Sequence, residues 1–209
     1  MKKWFTRFAL GLLLPLNSQA EKPNILFIFA DDQAFDTIHA LGYDEIETPH
    51  LDRLVRGGVT FTHAYNQGGY HGAVCVASRT MLNTGRFLWH AQREEKEMKQ
   101  KQADGLLWSQ HMRKAGYQTF FTGKWHVKAD TKVIFDVARN VRGGMPNQVP
   151  EGYNRPKDEN DKQWLPWDPQ WRGFWAGGKH WSEVVGDDGV DYLKMASKND
   201  KPFFMYLAF

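Results

Sequence analysis

Cys75 is the only cysteine in 209 residues, and it stands in AVCVASRTMLNTGR, a run of small, hydroxylated and basic side chains. A thiol with no second cysteine cannot close an intramolecular disulfide. It is a buried filler, a site for intermolecular pairing, or a functional group. Two further groups could do chemistry beside it. Asp31 and Asp32 directly follow the apolar run PNILFIFA, and Lys124 and His126 follow YQTFFTG in the sequence TGKWH. Adjacent carboxylates repel each other unless a cation sits between them, and hard cations such as calcium or magnesium prefer oxygen ligands. The same pair also suits a plain solvated turn, and a lysine or histidine in a loop is commonly surface.

These groups act together only if the fold gathers them. PNILFIFA (23–30) is an uninterrupted run rich in Ile and Phe, the pattern of a strand buried on both faces. ETPHLDRLVRGG predicts a helix with Thr48 as cap, Pro49 in its first turn, Leu51, Leu54 and Val55 on one face, and Gly57 and Gly58 as its stop. VTFTHAY (59–65) reads as a second strand, residues 78–83 as a short helix ending near Gly85, 103–116 as a longer helix, and YQTFFTG (117–123) as a third strand. Strand, helix and strand in this order predict right-handed crossovers in an α/β fold, a mostly parallel sheet sandwiched by helices. Ligands in such sheets collect at the carboxyl ends of strands, where helix N-termini also point. Asp31, Asp32, Cys75, Lys124 and His126 all fall at such ends, so they are expected to be neighbours.

Residues 129–181 differ in character, with Trp164, Trp167, Trp171, Trp175 and Trp181 set among Pro and Gly. They read as a long insertion beside the sheet, whose tryptophans pack against it or stack on sugar rings. SEVVGDDGVDYLKMASKND resumes as a helix capped by Ser182, and KPFFMYLAF is another buried strand. An apolar content of 42% supplies a core and argues against disorder.

The first twenty residues place Lys2, Lys3 and Arg7 before the apolar run FALGLLLPL and end on Ser18 and Ala20, the pattern of a signal peptide cleaved after Ala20. The run is too short to span a bilayer and contains Pro15. The expected destination is periplasmic or secreted, with no membrane attachment after cleavage. Removing three of the 27 cations leaves 24 basic against 24 acidic residues, so residues 21–209 carry no basic excess that would point to nucleic acid.

Cys75, Ala77, Ser78, Arg79, Thr84, Gly85 and Arg86 together resemble the signature of the formylglycine-dependent sulfatases of the alkaline phosphatase superfamily. That signature reads Cys or Ser, any residue, Pro or Ala, Ser, Arg, then a short spacer to Thr-Gly-Arg. Asn83 departs from it, standing where the family usually has Leu. PNILFIFADDQ resembles the family's opening strand and metal pair, TPHLDRLVRGGVTFTHAY its first helix and second strand, TGKWH its Lys and His segment, and KPFFMYLAF a later strand. The implied fold is an alkaline-phosphatase-like sulfatase domain.

The resemblance implies that a maturation enzyme oxidises Cys75 to formylglycine, an aldehyde that hydrates to a diol. One hydroxyl would attack the sulfur of a sulfate ester, and deprotonating the other would release sulfate by breaking a carbon–oxygen bond. It further implies that Asp31, Asp32 and the modified Cys75 hold calcium, or magnesium. Arg79 would orient the diol, Lys124 would pair with the sulfate, and His126 would act as the base. The implied substrate is a sulfated carbohydrate or aryl ester. Tyr70 and His71, just before the signature, could face it.

Members of the family extend well beyond the strand matching KPFFMYLAF, with further metal ligands, a histidine and a second lysine. The expectation is therefore the N-terminal portion, residues 21–209, of a C-terminally truncated catalytic domain. Two other readings stay open: a phosphonate monoester hydrolase or phosphodiesterase of the same superfamily, and an inactive remnant.

Overall fold

The computed structural model describes residues 21–70, 72, 74–143, 157–161 and 179–209. The expected signal peptide, His71 and four of the five tryptophans named above lie outside them. The sheet has four strands, β1 (Ile25–Phe29), β2 (Gln118–Lys124), β3 (Val137–Arg142) and β4 (Phe203–Ala208), in the order β1-β4-β2-β3. Every pairing is parallel.

β2 and β4 are continuous apolar runs because both their faces are covered. Phe121, Phe204 and Tyr206 point to one side, where they meet Met98, Leu107, Trp125 and Phe135. Trp108 closes this side, with its ring 4.5 Å from Phe204 and 5.2 Å from Phe27. Phe120, Met205 and Leu207 point the other way onto Val185, Tyr192 and Ala196 of helix α7 (Trp181–Ala196). Phe120, Phe121, Phe204 and Tyr206 are fully buried, and each such side chain contributes about 2 kcal/mol. This is the helix-sandwiched parallel sheet expected above.

The first strand differs from expectation. β1 alternates, with Ile25, Phe27 and Phe29 on the core and Leu26 and Ile28 each 48% exposed. It lies at the sheet edge, while α7 packs over β2, β3 and β4. VTFTHAY forms no strand either: residues 59–65 are irregular, and Val59, Phe61 and Tyr65 are exposed. β-branched and aromatic residues favour a strand only where a neighbouring strand receives their backbone hydrogen bonds, and the described sheet offers them none.

The helices keep their places but not all their ends. α1 (Pro49–Gly57) follows Thr48 as expected, yet the Thr48 hydroxyl does not cap it. It donates to Asp52 Oδ1 at 2.8 Å and accepts from the His39 N–H at 2.9 Å. α2 (Val74–Thr84) is longer than the predicted 78–83 and takes in Cys75. α3 (Leu88–Glu95) and α4 (Met98–Ala103) follow it. α5 (Trp108–Lys114) starts later than residue 103, because a turn at Gly105, with φ 71°, separates it from α4. The cap of α7 is His180, whose Nδ1 accepts from the Ser182 N–H at 3.2 Å, rather than Ser182 itself. No described helix is long and apolar enough to cross a membrane.

The front of the 129–181 stretch also belongs to the sheet rather than beside it. It forms α6 (Thr131–Ile134), capped by Asp130, and then β3. β3 carries a bulge: Thr122 pairs with Arg139 and Gly123 with Val141, leaving Asn140 as the extra residue at φ 44°. Gly123, at φ 105°, lies so close to β4 that a Cβ there would collide with the Ala208 carbonyl.

Asp52 joins α1 to the segment that follows Asp32, accepting from the Ala40 N–H at 3.0 Å and the Thr48 hydroxyl, with Arg56 3.5 Å away. Burial opposes its ionisation, but Thr48, Ala40 and Arg56 outweigh that and hold the carboxyl below its ordinary 3.8. A carboxylate whose pKa is lowered by folding adds stability that is complete above the unfolded value and is lost as pH falls through the folded one. Asp52→Asn should therefore lower the urea midpoint near neutral pH and flatten its fall below about pH 4. An acid limb identical to that of the parent would show that Asp52 contributes nothing.

Candidate active site

Each group in the site owes its position to an element end. β1 runs out into Asp31 and Asp32, and β2, one strand removed across β4, ends on Lys124 at the same carboxyl edge of the sheet. The first turn of α2 brings Cys75 there, and one turn later Arg79 enters from the same helix. Ala77 is small enough for α2 to press onto its neighbours without exposure. Asn83 Nδ2 and Thr84 Oγ1 bond back to the Arg79 and Thr80 carbonyls at 2.8 and 2.7 Å. Gly85, at φ 65°, then lets its N–H close the helix on the Met81 carbonyl. Arg86 is tied outside to Glu94 at 3.2 Å. The motif thus divides into groups that line the cavity, Cys75, Ser78 and Arg79, and anchoring groups at the end of the helix, to which Asn83 belongs.

Lys124 Nζ is 3.4 Å from Cys75 Sγ and forms an ion pair with Asp31 Oδ2. Arg79 Nη2 reaches the same Oδ2 at 3.3 Å, and its Nη1 donates to the Lys124 carbonyl at 2.7 Å. Arg79 is 1% exposed, with its guanidinium 4.9 Å from the centre of the Phe29 ring. Burial works against the Asp31 charge, but the hydrogen bond and charge of Lys124, joined by those of Arg79, hold its carboxyl below the usual range. Burial also pushes the Tyr206 phenol, next to Arg79, up to about 12.

Asp31, Asp32, Cys75 and Arg79 line one cavity of about 310 Å³ with Gln33, Asn66 and Ser78. His126, expected beside these groups, lines a separate hollow with Val76, Glu95 and Lys128 that shares no lining residue with this cavity. Asp32 and His126, both at φ 56°, share the left-handed region with Asn140, and these are the non-glycine residues that occupy it among those described. Such backbone costs about 1–3 kcal/mol and gathers at functional sites. Tyr70 is turned toward α3, where burial and the neighbouring Glu95 push its phenol up to about 12. Sequence reasoning missed Gln33, Asn66 and the ring of Phe29. Single residues of these types in a loop or strand give no signal before the fold is known.

The donors in the cavity are carboxylate and amide oxygens, which suit a hard divalent cation. Among the described residues, no group of three or more His, Cys, Asp or Glu side chains converges. Asp31 and Asp32 thus offer two carboxylates toward the about six to eight oxygens calcium takes.

The Sulfatase family model matches residues 23–209. An N-acetylglucosamine-6-O-sulfatase of Bacteroides thetaiotaomicron is 26% identical over 199 residues, 91% of this chain and 31% of its own length. Arylsulfatase A of Bos taurus is 34% identical over 113 residues, 52% of this chain and 22% of its own. Among solved structures, Ps i-CgsB in complex with k-i-k-neocarrahexaose aligns at a TM-score of 0.60 and 25% identity, over 90% of this chain and 45% of that one. The chain spans less than a third of the length of either curated relative.

Proposed function

The chain belongs to the sulfatase family, and from that membership we propose that the whole protein is a sulfuric ester hydrolase acting on a sulfated carbohydrate. The observation that carries the reading is the convergence of Cys75, Lys124, Arg79 and Asp31 within direct contact. The names of the relatives, which include an N-acetylgalactosamine-6-O-sulfatase and an ulvan-active sulfatase, support a sugar sulfate as substrate class. In this proposal a maturation enzyme converts Cys75 to formylglycine, and the leader takes the protein to the periplasm or outside the cell.

The formylglycine would supply a hydrated aldehyde, in which one hydroxyl would displace the alcohol from sulfur and the other, on losing its proton, would re-form the aldehyde and release sulfate by breaking the carbon–oxygen bond. Lys124, whose Nζ is 3.4 Å from the Cys75 Sγ that an oxygen of the hydrated formylglycine would replace, would meet the sulfate oxygens as negative charge shifts onto them. Arg79, buried and fixed to the Lys124 carbonyl, holds that lysine and the start of α2 in one geometry. His126 is the proposed base; it lines a separate hollow that takes in Val76, the residue next to Cys75 along α2. Asp31 and Asp32 would hold a calcium or magnesium ion, whose charge favours binding of the anionic ester.

The test uses the whole, matured protein with 4-nitrophenyl sulfate and the matching phenylphosphonate. Faster turnover of the sulfate supports the proposal, and a preference for phosphonate replaces it with the phosphonate hydrolase reading. Treatment with EDTA should lower sulfate turnover at least about tenfold, with recovery on adding calcium. Turnover indifferent to chelation would remove the metal from the proposal.

A further inference from the structure

We propose that Asp188 is a positioning residue for Lys124: its buried carboxylate locks the β2–β3 bulge from the far side of the sheet and so fixes where the lysine leaves β2. This rests on the reading of Lys124 as a sulfate-binding residue. Asp188 sits in α7, 7% exposed, although nothing in the chemistry proposed above uses it. Its Oδ2 accepts from Thr122 Oγ1 at 2.6 Å and from Asn140 Nδ2 at 2.8 Å. One donor is the bulge residue itself and the other lies on the facing strand. Thr122 is two residues before Lys124, and Asn140 is the extra residue of β3, held in left-handed backbone.

A buried carboxylate is costly unless its hydrogen bonds are made. Here both bonds converge on one oxygen, and each ends on a different strand. The clamp decides which residue of β3 is squeezed out. Past the bulge, Lys124 pairs with Arg142, and the Trp125 N–H donates to the Arg142 carbonyl at 2.7 Å. If β3 loses the bulge and pairs straight on, Lys124 falls opposite Val141 instead of Arg142, because a bulge offsets by one residue the register of everything beyond it. Lys124 would then lose its aim at Cys75 Sγ and Asp31 while Arg79, held by α2, stayed in place. Asp188 acts through the backbone and touches none of the reacting groups.

Three substitutions separate this from a general packing role. Asn140→Gly keeps a residue at ease in left-handed backbone but removes the donor. Asp188→Leu removes the acceptor, and Asp188→Asn retains one oxygen able to accept both bonds. The first readout does not depend on sulfatase activity. In protein whose Cys75 is still a thiol, N-succinimidyl iodoacetate alkylates the single cysteine, and its ester then acylates a nearby amine. Peptide mapping gives the share of alkylated Cys75 joined to Lys124. That share should fall several-fold in Asn140→Gly and Asp188→Leu and hold in Asp188→Asn.

In the matured whole protein, kcat for 4-nitrophenyl sulfate should drop on the order of 10²-fold in the first two variants, the scale of an ångström-sized misplacement. KM should change little, and Asp188→Asn should recover most of the rate. An equal cross-linked share in all variants that melt like the parent overturns the positioning role. If the matured parent leaves the sulfate ester intact, the sulfatase reading fails on its own, and the cross-link still decides whether Asp188 aims Lys124.

Discussion

Substituting Cys75 by alanine is expected to lower turnover of 4-nitrophenyl sulfate by the whole, matured protein by on the order of 10⁵-fold, the scale of removing a nucleophile. Cys75→Ser is the more informative partner. Prepared with a maturation enzyme that converts only cysteine, it offers one hydroxyl at the same place, beside Lys124 and Arg79. That hydroxyl can displace the phenol from sulfur, but it has no second hydroxyl to expel the sulfate. The expected result is one equivalent of nitrophenol per chain, then arrest, with the serine peptide heavier by one SO₃. Steady turnover by the serine variant would sink the claim that a two-hydroxyl group made from Cys75 does the work, and full activity in the alanine variant would remove Cys75 from the reaction altogether.

The second large effect concerns Gly123. An alanine there meets two penalties at once: left-handed backbone, and a Cβ driven into the Ala208 carbonyl of the neighbouring strand. Strain and overpacking each cost about 1–3 kcal/mol. Their sum of about 4 kcal/mol is a large share of the about 5–15 kcal/mol that holds a domain together. Gly116→Ala separates the penalties, because Gly116 has φ 90° but nothing closer than Lys22 Nζ, 3.9 Å from its added Cβ. Urea midpoints should fall slightly for Gly116→Ala and severely for Gly123→Ala. Equal losses would mean that the close approach of β2 to β4 is not as tight as described.

The parts of the fold that were legible are those where pattern alone carries the information. The runs YQTFFTG and KPFFMYLAF are apolar without alternation because helices cover both faces of β2 and β4. The same logic applied to PNILFIFA failed, since a sequence states what a strand could bury and not whether a helix reaches it. β3 was unreadable for the opposite reason. VARNVR mixes charges and an amide, as an edge strand can, and resembles loop. The helix was legible through GDDG despite its two glycines, but the burial of Asp188 and Gly189 in it was not. In the site, Asp31, Cys75 and Lys124 were expected together because strand ends and helix starts share one edge; Arg79 came only from the resemblance of its motif, and His126, expected with them, lines a separate hollow. Asn66 and Phe29 become neighbours only through tertiary contact, which no local spacing encodes.

The strand order also fixes a sequence of events. Asp31 leaves β1 and Lys124 leaves β2, but these strands never touch; β4 lies between them and pairs with both. The side chain of Asn24, just before β1, accepts from the Phe203 N–H across 179 residues of chain. Contacts of such separation form late, because the entropy of closing the loop must be lost before any pairing compensates it. During synthesis β1, α2 and β2 all emerge before the strand that unites them. A chain whose β4 has yet to pair would leave Cys75 on open peptide, where the proposed maturation enzyme would reach it before Lys124 and Asp31 close around it.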